Sequence, residues 1–281
     1  MVVALAFGVF VFLTWSTRSI SLISYLLQGQ TREIVVLEIS GTSPWGMVRI
    51  LPQVMLFLFG MFLPSIAAGS VARDLRQRTQ ELLMSTAVST RAYVWGRYMA
   101  ALLVALGMAV LMLLSILLTG FALSLGGDYP PPNIIATLAL WATVVVPTTV
   151  LITGLSFALG TLLPKFSNPI KVLVLIAWFL SMYLALLPLA PDWYLDFDPT
   201  GRVMSRELES HYRPESGPDW NLQFPQDRAA LEQVQQSVRR VEQKMPDLLP
   251  WVPPKLVHIG LGLALVALSA AGFRRFRNVR Q

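Results

Sequence analysis

Charged residues are absent from several long stretches of the chain, and this absence limits the possible folds more than any other feature. Residues 98–125 and 134–163 contain no Asp, Glu, Lys, Arg or His. A helix rises 1.5 Å per residue, so about 20 apolar residues cross the ~30 Å hydrocarbon core of a bilayer. Only 14% of all residues are charged, against about 25% in soluble domains. We therefore expect an all-α, polytopic membrane protein.

Six apolar segments are predicted to be transmembrane helices. The first lacks the basic start and the cleavage site of a signal peptide, so we interpret it as a helix. Residues 1–189 would hold helices one to five, and residues 256–281 would hold the sixth helix and a basic tail. The predicted spans are 1–27, 51–72, 98–125, 134–163, 172–189 and 256–273.

Basic residues are concentrated in segments that would lie on one side of this bundle. With a cytoplasmic N-terminus, residues 73–97, 164–171 and 274–281 face the cytoplasm and hold eleven Lys and Arg against two acidic residues. The outer loop 126–133 holds no basic residue. The positive-inside rule therefore predicts a multi-pass protein of the plasma (inner) membrane with both termini in the cytoplasm. This topology explains the pI near 9.9, and no nucleic-acid partner is expected.

Residues 190–255 form a long loop that we expect on the extracytoplasmic side, before the last helix. Frequent Pro, Gly and Asp predict turns in its first part, including residues 211–220. An amphipathic helix is predicted at about 226–244, where Val234 and Val238 belong to one apolar face. This helix would pack on the membrane surface or on a second subunit, or serve as a spacer.

Residue types needed for catalysis or metal binding are scarce. The chain has no cysteine and two histidines, and it lacks the G-x-x-x-x-G-K-[ST] phosphate-binding loop. Residues 196–200, DFDPT, contain the paired aspartates of a phosphatase motif without the surrounding strand pattern. Arg18 and His258 are interpreted as interfacial anchors at the ends of their spans. We therefore expect no enzyme activity, no metal site and no cofactor in this chain.

The most specific pattern lies between the second and third predicted spans, in residues 71–105. Good helix formers from Asp74 to Val88 predict a short amphipathic cytoplasmic helix, and Ser89 or Thr90 is a plausible cap for the helix that follows. Gly96-Arg97 ends the pattern. The residues that define it before that point are Asp74, Arg78, Thr79, Glu81, Leu82, Leu83, Ser89 and Arg91.

This pattern resembles the permease family of type-2 ABC exporters. The family often has Gly where this chain has Arg78 and Pro where it has Ala87, and its members usually carry an elbow helix before span one. The resemblance implies that residues 73–97 include a coupling helix that docks on a separate ATPase subunit. ATP and magnesium would bind in that partner, and a second permease subunit would complete a homo- or heterodimer. The same eight residues from Asp74 to Arg91 would carry the coupling.

The resulting hypothesis is a permease subunit that exports an amphipathic or hydrophobic substrate by alternating access. An uncharged bundle suits such a substrate better than a small ion, and the substrate-binding residues are not predicted. Two alternatives stay open. One is a secondary transporter driven by an ion gradient, and the other is a non-transporting membrane scaffold or sensor that uses the outer loop.

Overall fold

The chain is mainly helical in the residues that the structure, a computed structural model, describes. These residues are 2–28, 31–69, 73–74, 89–127, 129–185, 187, 194, 197–215 and 228–278. Short 3-10 turns at Pro164–Phe166 and Leu249–Trp251 precede the fifth and eighth helices. The helices are α1 (Val2–Ser16), α2 (Pro44–Ala67), α3 (Thr90–Leu125), α4 (Ile134–Leu162), α5 (Ser167–Leu184), α6 (Arg202–Glu215), α7 (Arg228–Val241) and α8 (Val252–Asn278).

Four described helical segments are long and apolar enough to cross a membrane, which gives the chain the character of a membrane protein. They coincide with the third to sixth predicted spans. Their bounds are Thr90–Leu125, Ile134–Leu162, Pro164–Leu184 and Leu249–Phe273.

Helix α2 corresponds to the second predicted span but begins earlier in the chain, at Pro44 rather than near Leu51. The reason is local. Ser43 accepts a hydrogen bond from the Gly46 N–H at its side-chain oxygen, 3.1 Å away, and Pro44 occupies the first helical position, where its fixed φ favours a helix. The helix ends at Ala67.

The prediction of one apolar helix through Leu27 was wrong. Helix α1 ends at Ser16, and the chain continues into two antiparallel strands, β1 (Ser19–Gln28) and β2 (Thr31–Ser40). Their register runs from Ser19 opposite Ser40 to Gln28 opposite Thr31. Serines alternate with apolar residues at the start of β1, which is the period of a strand. The fold is therefore not entirely α-helical.

Part of the predicted turn region is also helical. Helix α6 covers residues up to Glu215, including the start of the 211–220 segment. Met204, Leu208 and Tyr212 are buried at intervals of four residues, which is the spacing of a helix that packs on one face. Helix α7 lies within the amphipathic helix predicted at 226–244.

The chain divides into two compact units, and each unit combines three separate parts of the sequence. The first comprises Met1–Pro52, Val110–Ala142 and Val203–Pro250. The second comprises Gln53–Ala109, Thr143–Arg202 and Trp251–Gln281.

In the first unit, the end of the hairpin is bound to the end of α7. The Ser40 N–H donates to a side-chain oxygen of Glu242 at 2.8 Å, and the Trp45 N–H donates to the Glu242 carbonyl at 3.3 Å. Trp45 also stacks on Tyr212, with ring centroids 5.3 Å apart. Backbone and aromatic contacts thus join the hairpin, α2, α6 and α7.

In the second unit, glycines allow helices to approach closely. A side chain on Gly160 of α4 would collide with the Ala68 backbone, and one on Gly154 would collide with the Gly262 backbone of α8. Tyr98 and Phe157 pack edge to face at 5.6 Å between α3 and α4. Small residues at such crossings are typical of helix contacts in membranes, where dispersion contacts drive association.

Candidate functional site

The predicted coupling segment is described by the structure at its two ends. Five of its predicted residues, Arg78, Thr79, Glu81, Leu82 and Leu83, lie outside the described residues. The structure does describe Asp74, Ser89 and Arg91. The geometry of the site is therefore built from the positions where the segment leaves and rejoins the helices.

Asp74, at the start of the segment, is buried against the first turns of α3. Its Oδ2 accepts a hydrogen bond of 2.7 Å from the Tyr93 hydroxyl. The same oxygen lies 2.5 Å from Nη2 of Arg97, whose guanidinium carbon is 5.9 Å from the Tyr93 ring centroid. We call Asp74, Tyr93 and Arg97 the Asp74 cluster.

The chemistry of the Asp74 cluster explains why a carboxylate can be buried there. An ionised carboxylate inside a protein is costly unless it is paired and hydrogen-bonded. Here the Tyr93 hydroxyl supplies the hydrogen bond and the Arg97 guanidinium supplies the opposite charge. A hydrogen bond to a charged group contributes about 1.5–3 kcal/mol. The start of the segment is thereby fixed to α3.

Ser89 and Arg91 lie at the other end of the segment. The Ser89 side-chain oxygen accepts a hydrogen bond from the Ala92 N–H at 3.2 Å, so Ser89 caps α3 as one of the two predicted cap residues. Arg91 is exposed. Residues 75–88 therefore connect two points that are both attached to the first turns of α3.

The Asp74 cluster adjoins an apolar core in the second unit. Tyr93 and Tyr98 of α3 are buried with Phe157 of α4 and Val266 of α8, and Ala67 at the end of α2 belongs to the same cluster of residues. Tyr93 thus connects the Asp74 cluster to a core formed by residues of four helices.

A second polar cluster lies at the start of α8. Three consecutive backbone carbonyls each accept a hydrogen bond from a different side chain, and we call this arrangement the carbonyl cluster. Nζ of Lys255 donates to the Asp198 carbonyl at 3.0 Å, and the Thr148 hydroxyl donates to the Pro199 carbonyl at 3.1 Å. Nε2 of His258 is bound to the Phe197 carbonyl.

The two ring nitrogens of His258 have different surroundings in the carbonyl cluster. A carbonyl oxygen can only accept, so Nε2 carries the proton and Nδ1 of the neutral ring is an acceptor. Nδ1 is buried and has no hydrogen-bond partner among the described residues. Lys255 is buried as well. The interpretation of His258 as an interfacial anchor was therefore wrong, because residues 197–199, which precede α6, cover it.

A third polar group is Glu242 in the first unit. Its side chain is fully buried, where it accepts from the Ser40 N–H and pairs with Arg239 at 3.3 Å. Burial raises the pKa of Glu242 to about 7, although the Ser40 hydrogen bond and the Arg239 charge act in the opposite direction. This carboxyl titrates near neutral pH.

The structure assigns contacts that sequence reasoning missed. Tyr93 was not among the predicted site residues, and Lys255 and Glu242 were not singled out either. For Lys255 a signal existed, since a lysine three residues before a histidine at the start of an apolar helix places two ionisable groups on one helix face. No local pattern indicated the burial of Glu242.

Comparison of this chain with family models, with curated proteins and with solved structures found no match. The functional interpretation therefore depends on the residues of the coupling segment and on the contacts described above.

Proposed function

We propose that this chain is the membrane-spanning permease subunit of an ATP-driven exporter of the type-2 ABC class. The observation that carries this proposal is the Asp74 cluster. The first acidic residue of the family-like pattern, Asp74, contacts the basic residue that ends the pattern, Arg97. The first and the last residue of the pattern are thus in direct contact.

In the proposed mechanism, the partner ATPase binds ATP and magnesium, and this chain converts movement of the partner into movement of helices. Closure of two ATPase subunits would push residues 75–88. Because Asp74 and Ser89 both attach to the first turns of α3, the push would move α3 as a rigid body. Breaking the hydrogen bonds within α3 would cost more than tilting the helix.

The rest of the proposal concerns substrate, assembly and location. A second permease subunit completes the path, and alternation between inward-open and outward-open states exports the substrate. Residues 98–125 of α3 and 134–162 of α4 include no charged residue. This absence favours an amphipathic or hydrophobic substrate. The basic segments favour a plasma (inner) membrane location with both termini in the cytoplasm.

Affinity purification in mild detergent tests the coupling assignment. We expect an ATPase subunit to co-purify with the native chain and to be lost with Leu82→Asp, since a buried carboxylate at a docking surface would be unpaired. Gln236→Asp, at an exposed position of α7, is the matched control and should retain the partner. Retention of the ATPase and of transport by Leu82→Asp would contradict the assignment.

A second candidate function is gradient-driven transport, and the carbonyl cluster favours it. Ionisable residues within membrane spans mark proton and ion pathways, and Lys255 and His258 lie in a candidate span. Inside-out vesicles incubated with an amphipathic fluorescent dye in the external medium separate the two functions. Uptake driven by an imposed pH gradient and lost in His258→Asn would favour this second function, whereas uptake that requires ATP and the partner would favour the exporter.

A further inference from the structure

Two basic side chains from different parts of the chain meet at the end of α2. Nζ of Lys171, in α5, lies 3.7 Å from the point that a Cβ on Gly69 would occupy, and Nη2 of Arg73 lies 3.9 Å from the same point. The carbonyl oxygen of Ser65, in the last turn of α2, is 3.8 Å from it. We call Arg73 and Lys171 the cation pair.

The cation pair is only partly neutralised by the described residues. Neither side chain forms an ion pair with a carboxylate in that part of the chain. The carbonyl end of a helix supplies about half an elementary negative charge, against two positive charges. Arg73 is exposed and Lys171 is half-buried, so an anion from outside the chain can reach both.

Exposed apolar side chains lie on α5, which carries Lys171, and on α2, which ends two residues before Gly69. Helices α2 and α5 pack together at Gly60, where the Trp178 ring fills the space beside the glycine. Apolar side chains that follow Gly60 on α2 and Lys171 on α5 are 42–59% exposed. They are Met61, Phe62, Val172, Leu173 and Ile176.

A ligand that fits both features has an anionic head and long apolar chains. We propose that the cation pair binds the phosphate of an anionic phospholipid whose acyl chains lie along the exposed apolar residues of α2 and α5. Basic sites between membrane helices bind lipid head groups in this way, through charge at the surface and apolar contact below it. The proposal does not rest on the proposed export function, because lipid binding by this chain requires neither an ATPase nor transport.

Thermal unfolding of the purified full-length chain in mild detergent tests this proposal. Phosphatidylglycerol, phosphatidylcholine and inorganic phosphate are each titrated, and the unfolding midpoint is followed. We expect a saturable rise with phosphatidylglycerol alone. Arg73→Gln and Lys171→Gln should each weaken the apparent affinity by roughly fivefold, since one basic residue near a lipid surface contributes on the order of that factor.

Two further variants make the result specific to the site. Lys165→Gln removes an exposed charge from the turn before α5 and should leave the affinity unchanged. Gly69→Asp places a carboxylate between the two cations, where a Cβ meets only ordinary contacts, and should abolish the lipid effect while the protein stays folded. An equal rise with phosphatidylcholine, an equal rise with inorganic phosphate, or an equal loss in Lys165→Gln would each overturn the proposal.

Discussion

Asp74 and Glu242 are both buried carboxylates, and their partners decide how each one behaves. Asp74 shares one oxygen between the hydroxyl of Tyr93 and the guanidinium of Arg97. Glu242 relies on one backbone N–H and on Arg239, and burial outweighs both in its pKa. Both buried carboxyl groups are thus in ion pairs, and the one at Glu242 titrates near neutral pH.

Substitution of the Asp74 cluster should show energetic coupling between its members. Asp74→Asn keeps an acceptor for Tyr93 but removes the charge that pairs with Arg97, so we expect a loss of stability of about 1–2 kcal/mol. We expect the double variant with Arg97→Gln to lose less than the two single variants together. Thermal unfolding of the four proteins measures this coupling, and additive losses would show that the pair makes no net contribution.

Asp74→Asn should also reduce ATP-driven transport by protein that remains folded, because it removes the ion pair with Arg97, one of the contacts that hold the start of the coupling segment on α3. Arg97→Lys, which keeps the charge, is the control. Transport by membranes that contain equal amounts of folded protein tests this expectation. Normal transport by Asp74→Asn would show that the cluster is structural only.

Glu242 should make the stability of the chain depend on pH. Its folded pKa of about 7 lies above the unfolded value of 4.5, so between these values the native state binds more protons than the unfolded state. Stability therefore falls as pH rises from about 4.5 to about 7. A shift of this size corresponds to at most roughly 3 kcal/mol.

Glu242→Gln provides the test of that pH dependence. The amide oxygen can still accept from the Ser40 N–H, but the side chain no longer titrates. We expect the unfolding midpoint of the variant to vary less over this pH range and to exceed the native value at pH 8. The same pH profile in both proteins would mean that another group is responsible.

At the scale of elements, close helix crossings in the second unit should be sensitive to single methyl groups. A Cβ on Gly262 would lie 2.8 Å from the Val150 carbonyl oxygen, whereas one on Gly260, half a turn earlier in α8, meets nothing within 4 Å. We expect Gly262→Ala to destabilise the chain by about 1–3 kcal/mol through overpacking. Gly260→Ala should be neutral or stabilise it by up to about 1 kcal/mol. Equal effects of Gly262→Ala and Gly260→Ala on the unfolding midpoint would argue against a close contact between α4 and α8 at Gly262.

The hairpin shows how an element can be missed in a chain of apolar helices. Residues 19–28 are apolar enough to extend the first helix, and hydropathy alone treats them so. Their alternation with serine from Ser19 to Leu22, and the β-branched residues Ile34, Val35 and Val36 in the segment that follows, are typical of strands. Pairing gives the backbone N–H and C=O groups of both strands hydrogen-bond partners in each other. The hairpin therefore forms although the sequence of each segment alone fits a helix or a strand.

At the scale of the whole molecule, the predicted topology can be tested directly because the chain has no cysteine. Arg91→Cys and Gln236→Cys introduce single thiols at exposed positions of α3 and α7. We expect a membrane-impermeant maleimide to label Gln236→Cys in intact cells and Arg91→Cys only in opened membranes. Labelling of both from the same side would contradict the proposed orientation.

The sequence by itself determined the membrane character and the positions of the four long apolar helices, and it limited the predicted cap of α3 to Ser89 or Thr90. These features are local, since a run of uncharged residues or a serine before a helix acts through its immediate neighbours. The pattern between the second and third predicted spans also marked two members of the Asp74 cluster, Asp74 and Arg97.

Only the tertiary structure decided which distant residues meet. Tyr93 lies 19 positions from its partner Asp74, His258 lies 61 from Phe197, and Glu242 lies 202 from Ser40. The burial and the protonation state of these groups depend on chain segments that fold over them. No local pattern contains that information, because desolvation and ion pairing are properties of the packed chain.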